Sequence, residues 1–193
     1  MLRIEAGSLK GAKLVSPKGD ATRPTTGKVR AAVGDALFPK WTDARVLDLF
    51  AGSGVNGLEA ISRGARNVVF VEKDRAALQV IRRNICIAKE RISDENFQPV
   101  IVASAVEKAW KRIQHKGLYD VIWADPPYKH WSAIWSSIEF NVTKCLATSG
   151  IFVVEHSKEF RPLEAGFSDK LSIKAEKRYG ETLVSIFEKK GSA

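Results

Sequence analysis

Cysteine is scarce in this chain: Cys86 and Cys145 are the only two, far apart and both in segments that read as helical. That scarcity excludes a disulfide framework, and no C-x-x-C spacing offers a metal site. The three histidines, His115, His130 and His156, cluster neither with one another nor with the cysteines, so no structural zinc or other metal is expected. No apolar run is long enough to cross a bilayer, and the opening Met1-Leu2-Arg3-Ile4-Glu5 lacks the build of a signal peptide. A cytoplasmic protein with no membrane partner is the expectation. Internal repeats and low-complexity tracts are also missing.

Acids fall short of bases. Against 31 Lys and Arg stand 22 Asp and Glu, giving a net charge of +9 and a pI near 9.6. Such a surplus points to a polyanionic partner, because phosphate neutralisation releases counterions and supplies much of non-specific affinity. With 45% hydrophobic and 27% charged residues, a chain of 193 suits one globular domain with a real core.

The surplus is uneven. Residues 1–45 hold nine Lys or Arg (3, 10, 13, 18, 23, 28, 30, 40, 45) against four acids (5, 20, 35, 43). This polar, turn-rich stretch reads as an N-terminal extension with a hairpin around Lys10–Leu14 and a helix from Pro24 to Leu37. Over residues 46–193 strand alternates with helix. Val46–Phe50, Asn67–Glu72, Pro99–Ala103, Tyr119–Ala124 and Ile151–Glu155 are short apolar runs, as expected for parallel strands covered on both faces. Helices are expected over Val55–Arg63, from an Asp74 cap to about Lys89, over 105–115 and over 131–147. Leu171–Ala175 and Leu183–Phe187 read as a closing antiparallel pair. The pattern predicts a doubly wound α/β sheet, whose ligands bind beyond the carboxyl ends of the strands.

The first strand leads into Asp48-Leu49-Phe50-Ala51-Gly52-Ser53-Gly54-Val55-Asn56-Gly57, which satisfies G-x-G-x-x-G at Gly52, Gly54 and Gly57. Glycine permits a tight turn and a close backbone approach to a ligand, and Glu72, ending the second strand, can accept hydrogen bonds from both ribose hydroxyls. Taken alone, these residues suit a dinucleotide dehydrogenase as well as an S-adenosylmethionine enzyme. Asp48 favours the second: a carboxylate inside an apolar strand needs a partner, either a ligand's ammonium or the loop's own N–H groups.

The fourth strand ends in Asp125-Pro126-Pro127-Tyr128. Two prolines stiffen the backbone and remove two N–H donors, leaving carbonyls free to accept. An exocyclic amino group is a poor nucleophile because its lone pair is delocalised into the base. Acceptors on both amino hydrogens, the Asp125 side chain and the Pro126 carbonyl, would turn that lone pair toward a sulfonium methyl. Asp125 can then take the departing proton, and Tyr128 offers a face for stacking the base. The catalytic candidates are therefore Asp125, Pro126 and Tyr128.

Together these motifs resemble the class I methyltransferases of exocyclic amino groups. More narrowly, the chain resembles the bacterial RsmD family, the 16S ribosomal RNA guanine-N2 methyltransferases. The likeness runs through Arg3-Ile4 with Gly7, Leu9-Lys10-Gly11, Lys13-Leu14, Thr22-Arg23-Pro24-Thr25-Thr26, Val29-Arg30 and the Asp48–Gly54 loop. It continues in Gly57-Leu58-Glu59-Ala60, Ser62-Arg63-Gly64-Ala65, Val71-Glu72-Lys73-Asp74, Asp125–Tyr128 and Arg178-Tyr179-Gly180 with Thr182. It implies a Rossmann-like seven-stranded methyltransferase sheet with a small N-terminal extension. It also implies S-adenosyl-L-methionine lying against Asp48, Phe50, Gly52, Ser53, Gly54, Glu72, Ser104 and Asp125, with Arg23 and Thr25 closing over it. The implied substrate is a guanine of ribosomal RNA, within an assembling small subunit.

Several positions depart from the family pattern. Gly27 and Ala31 stand where acids are usual, Gly34-Asp35 where Phe-Asn is common, and Ser104 where an acid usually meets the adenine amino group. Lys10, Lys13, Arg23, Lys28 and Arg30 are the candidates for phosphate contact. Lys129, His130 and Trp131 follow at the mouth of the site, where an aromatic could stack on a flanking base; Trp131 equally fits the first core residue of the next helix. An adenine-N6 methyltransferase and a non-catalytic RNA-binding assembly module are the alternatives.

Overall fold

The computed structural model describes residues 2–17, 27–92, 97, 99–162 and 170–190. In chain order the elements are β1 (Leu2–Arg3), β2 (Lys13–Leu14), α1 (Gly27–Ala36), β3 (Arg45–Leu49), α2 (Val55–Ser62), β4 (Asn67–Glu72), α3 (Arg75–Lys89) and β5 (Val100–Ala103). They continue with α4 (Val106–Gln114), β6 (Tyr119–Ala124), a 3-10 turn at Tyr128–His130, α5 (Trp131–Cys145), β7 (Leu146–Ser157), β8 (Leu171–Tyr179) and β9 (Thr182–Lys189). Seven strands form one sheet in the order β5-β4-β3-β6-β7-β9-β8. Strands β3 to β7 are parallel, and β9 runs antiparallel between β7 and β8. This is the doubly wound α/β sheet that the alternating pattern predicts.

The apolar strand runs follow from burial on both faces. Successive strand side chains point to opposite sides. Val46, Val68, Phe70, Val121 and Trp123 join one core with α1, α2, α3 and the N-terminal segment. Leu47, Leu49, Val69, Val71 and Ile122 join the other, with α4 and α5. On α3 the apolar stripe Ala77, Leu78, Ile81, Ile85 and Ala88 is buried, and the Asp74 side chain caps the helix by accepting from Ala77 N at 2.8 Å.

Several boundaries differ from expectation: β8 runs on to Tyr179, past Ala175, and α5 stops at Cys145. The hairpin is wider than Lys10–Leu14: Leu2 pairs with Leu14 and Arg3 with Lys13, and the chain between turns through Gly7 and Gly11, both at positive φ. β7 starts at Leu146, well before Ile151. Leu146 pairs with Tyr119 and Ile151 with Val121, so the residues between them bulge out of the ladder. Backbone pairing with β6 decides that start, and hydropathy carries no trace of it.

The first residues of the N-terminal extension dock on α2. Glu59 of α2, buried, accepts from Glu5 N at 2.8 Å and Ala6 N at 3.0 Å. Ser62 takes Ser8 N on its carbonyl and Leu9 N on its hydroxyl, both at 2.8 Å. A Cβ on Gly7 would lie 1.7 Å from the Ser62 oxygen, so only glycine passes there. The Gly-Leu-Glu-Ala and Ser-Arg-Gly stretches thus form the seat of the N-terminal segment.

Candidate active site

From β3 the chain moves outward to β4 and β5, then crosses to β6 and β7 on the other side. The carboxyl ends of β3 and β6 therefore mark the switch point where a doubly wound sheet opens a crevice. Leu49 pairs with Ala124 of β6 and with Val71 of β4. One residue on, Phe50, Asp125 and Glu72 leave their strands side by side. Glu72 in turn pairs with Ala103, which puts Ser104 at the next position along this edge.

The glycine loop is tightly built. Phe50 has a φ of 61°, a conformation that a bulky side chain adopts only where the surroundings enforce it. Gly52 and Gly54 also have positive φ, and Gly54 N donates to the Ala51 carbonyl at 2.7 Å. Among the described residues an added Cβ at Gly52 would have only the Phe50 oxygen within 4 Å, at 3.9 Å, so the turn leaves room on that side. At Gly57 it would lie 2.3 Å from Phe70 Cε1, because here α2 presses against β4.

Glu72 holds the loop from the β4 side. Its Oε2 accepts from Gly52 N at 2.9 Å, and its Oε1 accepts from Lys73 N and Asp74 N at 2.7 and 2.8 Å. A carboxylate offers about four acceptor positions. Among the described residues one remains, so both hydroxyls of a ribose could be held only if the Gly52 N–H released its acceptor. Ser104 N donates to the Glu72 carbonyl at 2.9 Å, and its hydroxyl donates to the Ala105 carbonyl at 3.1 Å. The Ser104 oxygen keeps its lone pairs for a donor such as an adenine amino group.

Asp48 finds the second of the two partners its sequence position left open. Its side chain is buried, and Oδ2 accepts from Gly57 N at 2.9 Å. Burial pushes this carboxyl up to about 8, against the pull of the Gly57 N–H, while Asp125 and Glu72 add to the rise. At 1% exposure Asp48 braces the loop from beneath rather than lining the crevice.

Beyond β6, Asp125 is half-buried, Pro126 buried and Pro127 exposed. The Pro127 carbonyl accepts from His130 N at 2.9 Å, closing the 3-10 turn. Among the described residues no hydrogen bond occupies the Pro126 carbonyl. Lys129 and His130 are exposed at the mouth. Trp131 is fully buried, donates from Nε1 to the Glu155 carbonyl at 2.8 Å and stacks on Phe160 at 5.2 Å. It is the first core residue of α5 and stands clear of any flanking base. The Tyr128 ring, Arg23 and Thr25 lie outside the described residues.

The basic candidates separate. Arg30 is 1% exposed, and its Nη2 donates to the Arg3 carbonyl at 2.9 Å and to Glu5 Oε1 at 3.2 Å. Its place as a phosphate contact is corrected: the guanidinium neutralises Glu5 inside the fold. Lys10, Lys13 and Lys28 are exposed. Lys10 sits on the turn that docks at Ser62, the far end of α2 from the glycine loop. Lys13 lies two residues before Val15, on the side nearer the loop. Lys28 also lies toward the loop, because the end of α1 meets Arg63: Asp35 pairs with it at 2.7 Å, and a Cβ on Gly34 would strike it. The departures at Gly34 and Asp35 thus accommodate the Arg63 side chain.

One residue that motif reading passed over is central here. Asn84 of α3 is fully buried; its Nδ2 donates to the Ser53 and Val15 carbonyls, both at 2.9 Å, and its Oδ1 accepts from Val15 N at 2.8 Å. The available signal was an amide in the apolar stripe between Ile81 and Ile85.

Comparison with known proteins adds to this geometry. A family model described as Conserved hypothetical protein 95 matches residues 2–188. The chain is 31% identical over 190 residues to the YlbH protein of Bacillus subtilis (strain 168), across 98% of this chain and 100% of that one. With the ribosomal RNA small subunit methyltransferase D of Escherichia coli (strain K12) it shares 35% identity over 132 residues, 66% of this chain and 61% of that enzyme's length. Among solved structures, the yhhF protein of Escherichia coli superposes with a TM-score of 0.79 at 28% identity, over 99% of both chains.

Proposed function

The chain belongs to the Conserved hypothetical protein 95 (RsmD) family, and on that premise we propose that it methylates the exocyclic N2 of a guanine in 16S ribosomal RNA, using S-adenosyl-L-methionine. One observation carries the reading: the ribose acceptor Glu72 and the nucleobase acceptor Asp125 flank the same glycine loop, each one residue beyond a strand partner of Leu49. The residues fit the cofactor. Room at Gly52, the remaining acceptor position on Glu72 and the Ser104 oxygen form a donor-seeking cradle along one edge.

When bound, S-adenosylmethionine supplies an electrophilic methyl group on a sulfonium whose leaving group is a neutral thioether. Asp125 accepts one hydrogen of the guanine amino group and the Pro126 carbonyl the other. Held at both hydrogens, the nitrogen turns its lone pair out of the ring plane and toward the methyl carbon. Positive charge growing on that nitrogen during methyl transfer would face the Asp125 carboxylate. The proton then leaves to Asp125, directly or through water. The family resemblance assigns Arg23 and Thr25 to the cofactor and Tyr128 to the base. Lys13 and Lys28 meet phosphates near the crevice, and Lys10 extends the contact along the N-terminal segment.

Transfer of tritiated methyl from the cofactor to deproteinised 16S RNA, assembling small subunits or duplex DNA tests the proposal, followed by identification of the modified base. N2-methylguanine in either RNA sample is the expected product. N6-methyladenine would replace the reading with an adenine enzyme. No methyl transfer and no calorimetric cofactor binding would leave an assembly module.

A further inference from the structure

Val15, the residue after β2, is fixed by Asn84. The side-chain amide pairs with both the N–H and the carbonyl of Val15, as a neighbouring strand would, and spends its second N–H on the Ser53 carbonyl. Both donors and the acceptor are used, with the side chain fully buried. Ser53 O and Gly54 N belong to one peptide group, and Gly54 N donates to the Ala51 carbonyl. Asn84 and Ala51 thus hold the two ends of that peptide plane in the middle of the loop. The neighbouring Ile81 packs where a Gly54 Cβ would point, at 3.4 Å, so α3 supports the loop at two successive turns.

We propose that Asn84 is a positioning residue for cofactor binding: it locks the glycine loop and Val15 of the N-terminal segment into one frame. The inference rests on the cofactor reading above. An apolar residue in its place would fit the stripe of α3 yet leave two carbonyls and one N–H buried without partners. The loop and the N-terminal segment would then resolve those groups independently, and the cofactor would have to order both on binding.

The test is calorimetric titration of S-adenosylmethionine into the full-length protein, Asn84→Ala and Asn84→Ser, each well below its own melting temperature. Wild type should bind. Each variant should bind at least about 10-fold more weakly, a loss near 1.4 kcal/mol, while its KM for RNA stays within about threefold. Hydrogen exchange gives a readout independent of turnover: cofactor should slow exchange of the Val15 amide in wild type and leave it unaffected in the variants. A variant with a lower melting temperature but wild-type cofactor affinity would overturn the positioning role and leave only packing. If Asn84→Ala does not fold, Asn84→Ser, which loses less volume and keeps a hydroxyl, decides the question. Failure of the wild type to bind cofactor would instead sink the functional proposal itself.

Discussion

Asp125 follows Ala124, whose strand partner is Leu49, so its carboxylate leaves the sheet beside the loop that begins at Phe50. If it accepts an amino hydrogen in the transition state, Asp125→Ala should lower turnover at least about 100-fold, or about 2.7 kcal/mol. Calorimetric cofactor affinity should stay within about threefold of wild type. More than about a tenth of normal turnover would mean that the carboxylate has another task. Asp48 acts differently, through its protonation. Its carboxyl is raised to about 8 by burial, above the ordinary carboxylate value of 3.8, so the folded state binds the extra proton between those values. The associated stability is fully present at acid pH and is lost as pH climbs toward 8, with a slope of up to about 1.4 kcal/mol per pH unit. Asp48→Asn mimics the protonated form and keeps an acceptor for Gly57 N. Urea denaturation from pH 5 to 8 should show a flatter profile for the variant; parallel profiles would assign the slope elsewhere.

At the level of the element, α2 is the most constrained piece, since it meets β4 on one side and the N-terminal segment on another. Gly57 admits no side chain because Phe70 Cε1 and Val68 Cγ1 stand 2.3 and 2.8 Å from a built Cβ. Gly57→Ala should therefore destabilise by about 1–3 kcal/mol through overpacking, although alanine is the better helix former. Adding Phe70→Leu should recover part of the loss in denaturant titrations. Additive losses would show that the clash is relieved by backbone movement instead. The same helix shows what Glu59 and Ser62, close behind the glycine loop in sequence, do in the fold. They accept the N–H groups of Glu5, Ala6, Ser8 and Leu9, which otherwise would be left without partners against an apolar face.

For the molecule as a whole, the excess of nine positive charges matters through where the cations end up. Lys13 and Lys28 are exposed, whereas Arg30 is buried and paired with the half-buried Glu5. Reversing Lys13 and Lys28 together should weaken RNA binding and reduce the slope of log K against log salt by about 1.4–1.8, as for two lost phosphate contacts. Arg30→Met should leave that slope unchanged and lower stability by about 1–3 kcal/mol, the scale of leaving part-buried acceptors without their donor. A changed slope for Arg30→Met would return that residue to the RNA footprint.

Much of the architecture was decided by local chemistry that a sequence displays. Alternation of apolar runs with helical stripes specified the doubly wound sheet, and Asn67–Glu72 and Tyr119–Ala124 begin and end where their apolar runs do. The glycine spacing and the Asp-Pro-Pro-Tyr run marked the two loops of the crevice, because tight turns and stiff acceptor carbonyls require those residue types wherever they occur. Other features depend on which distant groups meet. Arg30 and Lys28 are equally basic in sequence, yet only the packing of α1 against Glu5 buries one and exposes the other. Trp131 could have served the mouth or the core until Glu155 and Phe160 took it inward. Asn84 reads as a flaw in an apolar stripe until folding brings it to Ser53 and Val15, 31 and 69 residues away along the chain. Hydrogen bonds of that span are set by the register of whole elements, which no local pattern encodes.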